Sequence, residues 1–177
     1  IIFSDFRHGM FTKSSISTLS SKLPKNVLKV ADSQVASRWG NITEFRGFDL
    51  ITPNEREARF SLADQDSNIA KLAFDLREAT ECSNVIMKLG KRGAFFVNGN
   101  TYNSVDSFAS DIKDAVGAGD ALLAYSTLML LSSKSLIQST ILGSIAAALE
   151  CEYDGNIPVI SKNVTERIYK IKSGINS

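Results

Sequence analysis

The feature that most constrains the fold of this sequence is an alternation of short apolar runs with segments of helical periodicity. The apolar runs cover residues 1–3, 27–30, 50–51, 85–89 and 94–97. Runs of this length are typical of buried strands rather than of helices. Between the third and fourth runs, one helical face carries Ile69, Leu72, Ala73 and Leu76. The alternation predicts an α/β protein in which helices pack on a layered sheet.

Glycine-containing turns separate the later runs. Gly90 and Gly93 lie between residues 85–89 and 94–97, and Gly99 and Asn100 precede a further short run at residues 101–102. Turns this tight join neighbouring antiparallel strands. The sequence therefore predicts an antiparallel edge on this side of the sheet.

The sequence after residue 120 is helical in pattern, over residues 121–131, 135–150 and 164–171. In the second of these segments one predicted face carries Ile137, Ile141, Ile145 and Ala148. No linker rich in proline or serine divides the chain. Residues 1–177 are therefore predicted to form a single domain.

Composition and charge exclude several classes of function. The 20 Lys and Arg residues nearly balance the 19 Asp and Glu residues, so the net charge of +1 favours neither nucleic acid nor an anionic membrane as a partner. The longest apolar stretch, residues 121–131, is far shorter than the roughly 20 residues that cross a bilayer. Cys82, Cys151 and His8 have no metal-ligand spacing, which predicts a reducing, cytoplasmic location without a metal cluster or a structural disulfide. The oligomeric state is open, with a homodimer as one arrangement.

One short segment carries the pattern of a phosphate-binding site. Gly117, Ala118 and Gly119 precede a predicted helix, where small residues let backbone N–H groups approach an anion. Such a segment serves as often as a simple tight turn. Asp120 follows in the first helical turn, where a carboxylate can take a proton from an attacking hydroxyl. The alternative is an Asp that merely complements the helix dipole.

Residues 114–121 read Asp-Ala-Val-Gly-Ala-Gly-Asp-Ala and resemble the second signature, D-T-x-G-A-G-D, of the ribokinase-like (PfkB) carbohydrate kinases. Residues 50–58 resemble the T-P-N-x-x-E element of that family, and residues 85–94 resemble its strand followed by T-L-G-x-x-G. Residues 3–9 are similar to the S-D-Y-x-K-G segment of the heptose-phosphate kinase branch, with His8 in place of the Lys. The first three of these segments occur in family order as residues 50–58, 85–94 and 114–121, and the match corresponds to the C-terminal portion of the family.

The resemblance implies a ribokinase-like three-layer α/β/α sandwich with a Rossmann-like central sheet, mostly parallel with an antiparallel edge and incomplete at the N-terminus. It also implies Asp120 as the catalytic base, with the N–H groups of Gly117, Ala118 and Gly119 stabilising the transferred phosphoryl group. Asn54 and Glu57 would organise Mg²⁺ through water. The alternative for these two residues is a helix cap at Asn54 and a solvated Glu57.

The same resemblance places Lys88, Gly90, Gly93 and Asp114 among the residues that bind the ATP cofactor. Lys88 stands where the family commonly has Thr, and it either contacts a phosphate or points to solvent. A plain turn would require the same glycines. For His8 two roles are open. It either contacts the sugar substrate or is a neutral structural residue. Arg38 and Trp39 are predicted to be only a surface patch.

Three functions follow from these observations. The first is an ATP-dependent kinase that phosphorylates a hydroxyl of a sugar or sugar phosphate, with no nucleic-acid or membrane partner. The second is a kinase of another acceptor, such as a nucleoside or a vitamin alcohol. The third is a nucleotide-binding module without catalysis. The segment from Gly117 to Asp120 favours an enzyme. The family's first glycine-rich signature and its sugar-binding Asp are not found in these 177 residues, which favours the binding module.

Overall fold

A computed structural model describes residues 1–34, 42–155 and 157–175. Arg38 and Trp39, predicted as a surface patch, lie outside the described residues. Contacts between Cα atoms group the chain into two compact units. The first comprises Ile1–Leu89 and Phe95–Ser104, and the second comprises Gly90–Ala94 and Val105–Ser177. A single domain over residues 1–177 stays a prediction.

Six strands form one sheet in the order of the chain, and nearly all of their residues belong to the first unit. They are β1 (Ile2–Asp5), β2 (Val30–Ser33), β3 (Leu50–Ile51), β4 (Asn84–Lys88), β5 (Ala94–Asn98) and β6 (Thr101–Val105). Strands β1 to β4 pair in parallel. The two-residue connection between β5 and β6 permits only an antiparallel pair. Asn98 Nδ2 donates to Asn84 Oδ1 at 2.7 Å, which sets the end of β5 beside the start of β4. The predicted antiparallel edge is confirmed.

The helices of the first unit are α1 (Lys13–Ser21), α2 (Glu55–Leu62) and α3 (Ile69–Thr80). On α3, Leu72, Ala73 and Leu76 are fully buried, which confirms the face predicted from periodicity. Burial of each leucine contributes roughly 1.5–3 kcal/mol. The core continues into an aromatic cluster in which the rings of Phe3 and Phe48 lie 5.2 Å apart. This core supports the parallel strands and fixes where their carboxyl ends emerge.

Strand β2 lies three residues later than the apolar run predicts. The ladder with β1 begins at Val30, and Val27 precedes it outside the strand. All four residues of β2 are buried, among them Asp32 and Ser33. The sequence pattern failed here because this strand buries polar side chains that hydrogen-bond to neighbouring strands.

The second unit contains α4 (Ala118–Ser133), α5 (Leu136–Glu152) and α6 (Ser161–Ile175). The two-residue connection between α4 and α5 makes them an antiparallel pair. A Cβ added at Gly143 would lie 2.1 Å from Ser126 Oγ and 2.9 Å from the Leu122 carbonyl oxygen, so α5 touches α4 at this position. The predicted face of α5 is partly wrong, because Ile137 is 46% exposed. Ile141 is also exposed, whereas Ile145 and Ala148 are buried as predicted.

A small core holds the second unit together. Ile145, Ala146 and Leu149 of α5 pack with Val164 of α6. Tyr125 of α4 donates a hydrogen bond from its hydroxyl to the Val159 carbonyl at 3.0 Å. Among the described residues, no helix is long and apolar enough to cross a membrane.

Candidate active site

In the first unit, charged side chains collect where the parallel strands end. Asp5 ends β1, Ser33 ends β2 just after Asp32, and Lys88 ends β4. Thr52 follows β3 directly. Because the carboxyl ends of parallel strands meet at one edge of a sheet, these residues come together there. This edge is where open α/β sheets bind ligands.

Lys88 forms an ion pair with Asp32 across the intervening strand. Its Nζ lies 2.9 Å from Asp32 Oδ1 and 3.1 Å from Oδ2. Thr52 Oγ1 donates to Asp32 Oδ1 at 3.0 Å. The Lys88 side chain is 17% exposed, so the solvent-pointing alternative is wrong. The sequence reasoning missed Asp32 as a partner, since the two residues lie 56 positions apart.

A second buried ion pair lies at the end of β1. Arg7 donates from NH1 to Asp5 Oδ2 at 2.7 Å, and Ser33 Oγ donates to the same oxygen at 3.1 Å. Arg7 has a positive φ of 60°, which its backbone N–H bond to Asp5 Oδ1 at 2.8 Å helps to hold. His8 follows and is exposed, with its ring centroid 6.5 Å from that of Phe6. A substrate contact for His8 stays a prediction.

Asn54 and Glu57 form a reciprocal cap on α2. Asn54 Oδ1 accepts from the Glu57 N–H at 2.8 Å, and Glu57 Oε2 accepts from the Asn54 N–H at 2.7 Å. The helix-cap alternative for Asn54 is confirmed, whereas the expectation of a solvated Glu57 is wrong, because its side chain is buried.

The cap still fits a role near Mg²⁺. Glu57 and Asn54 both supply side-chain oxygen atoms, which is the ligand type that Mg²⁺ prefers. Mg²⁺ usually keeps several waters and takes only one or two protein carboxylates. Among the described residues, no group of three or more His, Cys, Asp and Glu side chains could hold a metal ion. A water-mediated contact of Asn54 and Glu57 with Mg²⁺ stays a prediction.

The turn after β4 places Gly90 and Gly93 in the second unit. Gly90 begins a short 3₁₀ segment, Gly90–Arg92, and the Gly93 N–H donates to the Gly90 carbonyl at 2.9 Å. Gly93 has a φ of 84°, and a Cβ there would lie 2.0 Å from the Val105 carbonyl oxygen. The fold thus requires glycine at position 93 on structural grounds. Contact of either glycine with a nucleotide stays a prediction.

The amino terminus of α4 contains residues 117–120, the segment that the sequence predicts to bind a phosphate. Gly117 is the N-cap in the left-handed region, with φ 86°, and no side chain caps the helix. The Ala121 N–H donates to the Gly117 carbonyl at 2.9 Å, and the Ala118 N–H lies 3.4 Å from the Ala115 carbonyl. Asp120 lies exposed in the first turn, as predicted. A helix leaves its first N–H groups without intrahelical partners, so this end attracts an anion.

Asp114 shapes the approach to this helix. Its Oδ1 accepts from the Val116 N–H at 3.0 Å, and its own N–H donates to the Cys151 carbonyl at 3.2 Å. The Lys113 N–H donates to the same carbonyl at 2.8 Å. The loop is thereby fixed to the end of α5. A direct role of Asp114 in cofactor binding stays a prediction.

Glu150 is a buried carboxyl that the sequence reasoning missed. It lies in the last turn of α5 and is 3% exposed, and its Oε1 has no hydrogen-bond partner among the described residues. Burial raises the pKa of Glu150, and the nearby charges of Asp114 and Asp120 raise it further. The available signal was an acidic residue directly after the apolar run of residues 145–149.

The predicted site residues divide between the two units. Asn54, Glu57 and Lys88 lie in the first unit, at or just beyond the ends of β3 and β4. The second unit contains Gly90, Gly93, Asp114 and the segment of residues 117–120. Within the first unit the structure joins Asn54 to Glu57, and it joins Lys88 to the unpredicted Asp32.

Comparison with known proteins gives consistent results. Residues 20–163 match the pfkB family of carbohydrate kinases. The chain is 28% identical over 155 residues to the bifunctional protein HldE of Helicobacter pylori strain J99, covering 84% of this chain and 32% of that protein. It is 27% identical over 175 residues to the HldE protein of Rhodopseudomonas palustris strain TIE-1, covering 95% and 34%. The chain thus spans about a third of the length of these curated relatives.

Solved structures show the same fold. Ribokinase from Thermotoga maritima superposes with a TM-score of 0.78 at 23% identity, over 95% of this chain and 56% of that chain. Phosphofructokinase-2 from Escherichia coli, in complex with substrates and products, gives a TM-score of 0.80 at 17% identity, over 96% and 55%. The predicted ribokinase-like α/β fold is confirmed, and the HldE relatives agree with the heptose-phosphate kinase branch.

Proposed function

Because the chain belongs to the pfkB family of carbohydrate kinases, we propose that it carries the phosphoryl-transfer site of an ATP-dependent sugar or sugar-phosphate kinase. The observation that carries this proposal is the uncapped amino terminus of α4 with Asp120 in its first turn. An anion-attracting helix end and a carboxylate base stand side by side there. Phosphoryl transfer depends mainly on such positioning and charge neutralisation.

In this proposal the N–H groups of Gly117, Ala118 and Gly119 donate hydrogen bonds to the phosphoryl oxygens. The positive end of the helix dipole adds to this attraction. The left-handed Gly117 is supportive, because a side-chain cap such as Ser or Asp would compete for the same N–H groups. Asp120 removes the proton from the acceptor hydroxyl as its oxygen attacks the γ-phosphate.

Asn54 and Glu57 would hold water around Mg²⁺ with their side-chain oxygen atoms. When bound, Mg²⁺ neutralises negative charge on the phosphate oxygens. The reciprocal hydrogen bonds fix both side chains, which is the orientation that a water-mediated contact requires.

Lys88, Gly90, Gly93 and Asp114 complete the proposed ATP-binding residues. Asp32 orients Lys88 and takes two of the three donors of its ammonium group, which leaves one for a phosphate. Gly90 and Gly93 shape the turn, and Asp114 holds the loop that leads to Gly117. These roles follow from the family resemblance and the local geometry together.

The substrate class is inferred from the relatives. The HldE relatives and the phosphofructokinase-2 structures favour a sugar phosphate as acceptor, with a heptose phosphate as the first to test. A small molecule would then be the partner, and a homodimer remains one arrangement to examine. We also propose a cytoplasmic location, because Cys82 and Cys151 are both free.

The test is phosphoryl transfer from ATP to a panel of sugars and sugar phosphates, with Mg²⁺ and with EDTA. Asp120→Asn is expected to lower transfer by about 10²–10⁴-fold while ATP binding persists, because the base is lost and the N–H groups remain. Asp111→Asn is the matched control, since Asp111 is an exposed loop carboxylate before the signature. Equal loss of transfer and binding in Asp120→Asn would assign that residue a structural role. Nucleotide binding without transfer to any acceptor would favour the non-catalytic binding module.

A further inference from the structure

Glu150 differs from the carboxylate two residues away on the same helix. Glu152 forms an ion pair with Arg167 of α6 and accepts from Ser110 Oγ at 3.1 Å. Glu150 is more deeply buried, and its Oε1 lacks a hydrogen-bond partner among the described residues. A buried carboxyl without a partner is costly in its ionised form, so its position calls for a functional reason.

The packing of α4 against α5 places Glu150 under the phosphate-binding end of α4. Gly143 sets the register, because it lies against Leu122 and Ser126. Glu150 follows Gly143 by seven residues, which is two helical turns, and so lies on the same face of α5. Since the helices are antiparallel, two turns along α5 lead back to the first turn of α4, where Asp120 lies.

The backbone at the end of α5 is fixed in the same place. The Cys151 carbonyl accepts the N–H groups of Lys113 and Asp114, which directly precede the signature loop. Ala121, the neighbour of Asp120, packs on the cluster that contains Ile145 and Leu149. Glu150 therefore lies between the loop and the first turn of α4, held by main-chain bonds on one side and apolar packing on the other.

The charges that face Glu150 come from each of these elements. Asp114 approaches from the loop and Asp120 from α4, and both are acidic. On its own helix, Glu152 is balanced by Arg167 of α6. Burial first, and then the two aspartates, raise the pKa of Glu150. A proton on Glu150 thus relieves the negative charge that surrounds the anion-binding end of α4.

We propose that Glu150 is a positioning residue of the transfer site, whose protonated side chain lets the first turn of α4 accept a phosphate and whose ionised form opposes it. This inference rests on the proposed function, because the anion in question is the phosphoryl group of ATP. Glu150 does not touch the reacting atoms in this scheme. It sets the charge beneath Asp120 and thereby the pH range over which the N–H groups of residues 117–119 bind an anion.

The experiment measures ATP affinity of the full chain by calorimetry between pH 5 and pH 8.5, with Mg²⁺ held constant. Glu150→Gln removes the ionisable group and keeps the shape. At pH 8 it is expected to bind ATP on the order of threefold to tenfold more tightly than the wild type, and the ratio falls toward one as the pH is lowered. Comparing the two proteins at each pH cancels the titration of ATP itself.

Two further variants make the result decisive. Glu152→Gln is the matched control, and it is expected to keep the pH dependence of the wild type because Glu152 is already ion-paired. Glu150→Ala removes the same charge without an amide, so the same loss of pH dependence is expected. If the ratio of the ATP affinities of Glu150→Gln and the wild type stays constant with pH, the inference about Glu150 is overturned and the proposed function is not. Absence of ATP binding by the wild type at every pH would overturn the proposed function as well.

Discussion

The strand ends of the first unit and the amino end of α4 in the second unit differ in how their polar groups are paired. At the strand ends of the first unit, Asp32 is bound by Lys88 and Thr52, and Asp5 is bound by Arg7 and Ser33. In the second unit, α4 begins without a side-chain cap, and Glu150 buries an oxygen that has no partner among the described residues. The first N–H groups of α4 therefore have no side-chain acceptor, which leaves them able to bind an anion. The charged side chains at these strand ends are thus held in fixed pairs, whereas the amino end of α4 has no such partner.

The largest loss of stability is expected from opening an ion pair in the first unit. Lys88→Met is expected to lower the free energy of unfolding by about 2–3 kcal/mol, because it leaves the buried Asp32 carboxylate without its cation. Urea denaturation measures the change. Lys71→Met, which opens the exposed pair with Asp75, is the control and should change stability far less, because solvent screens that pair.

A double substitution sharpens the assignment of the Lys88 effect. Adding Asp32→Asn to Lys88→Met removes the stranded charge, so part of the stability is expected to return. If the changes in unfolding free energy of the two single variants simply add in the double variant, the Lys88 and Asp32 side chains do not interact directly.

The reciprocal cap of α2 predicts the next largest effect. Asn54→Ala is expected to cost about 1–2 kcal/mol, because the Glu57 N–H loses its acceptor at the amino end of the helix. Asn54→Asp keeps an acceptor oxygen and should remain near the wild type. Thermal unfolding followed by circular dichroism distinguishes them, and equal destabilisation by both variants would show that the cap oxygen is not what matters.

In the second unit, one substitution is expected to increase stability. The folded state raises the pKa of Glu150 above its value in the unfolded chain. At a pH above both of these pKa values, the ionised Glu150 lowers the free energy of unfolding of the wild type. This loss disappears as the pH falls below both pKa values. Each unit of that difference corresponds to about 1.4 kcal/mol. Glu150→Gln should therefore gain about 1 kcal/mol over the wild type at pH 8 and nothing near pH 4. Urea titrations at both pH values measure it.

Glu152 is the control for that experiment, because its substitution is expected to change stability in the opposite direction. Burial tends to raise its pKa, but hydrogen bonds from Arg167 and Ser110 outweigh this and lower it. Its contribution to stability is therefore present above the unfolded pKa and is lost as the pH falls through the folded value. Glu152→Gln should lose stability at pH 8, and a gain there would contradict the difference drawn between the two carboxyls.

The smallest effect on stability is expected at the residue with the largest expected effect on chemistry. Asp120 is exposed in the first turn of α4, so Asp120→Asn should cost only about 0.5 kcal/mol, the usual size of a charge at a helix end. Thermal unfolding beside the transfer assay gives both values from one preparation. A stability loss of several kcal/mol would show that Asp120 belongs with the paired groups of the first unit.

Sequence reasoning succeeded where one local rule determines the structure. The face of α3 follows from helical periodicity, and the antiparallel edge follows from turns that are too short for any other connection. The family motif placed Asp120 in the first turn of α4. Each of these needs information from no more than about 20 neighbouring residues.

The remaining features depend on residues far apart in the chain. The start of β2 was misplaced because Asp32 is buried beside Thr52, which follows β3, and Lys88, which ends β4. Ile137 is exposed because the backbone contact at Gly143 rotates another face of α5 toward α4. Glu150 escaped notice because its neighbours Asp114 and Asp120 come from another element. No single window of sequence contains these pairings.

The contact at Gly143 also constrains how this protein can diverge. A methyl group at position 143 would meet both the Ser126 side chain and the Leu122 main chain. Loss of the Ser126 hydroxyl would relieve only the first of these contacts. In an evolving lineage, position 143 therefore remains closed to larger residues unless the helices separate, and such a separation would carry Glu150 away from Asp120. The substitutions that are tolerated at position 143 are therefore expected to reflect the distance that must be kept between the carboxyl groups of Glu150 and Asp120.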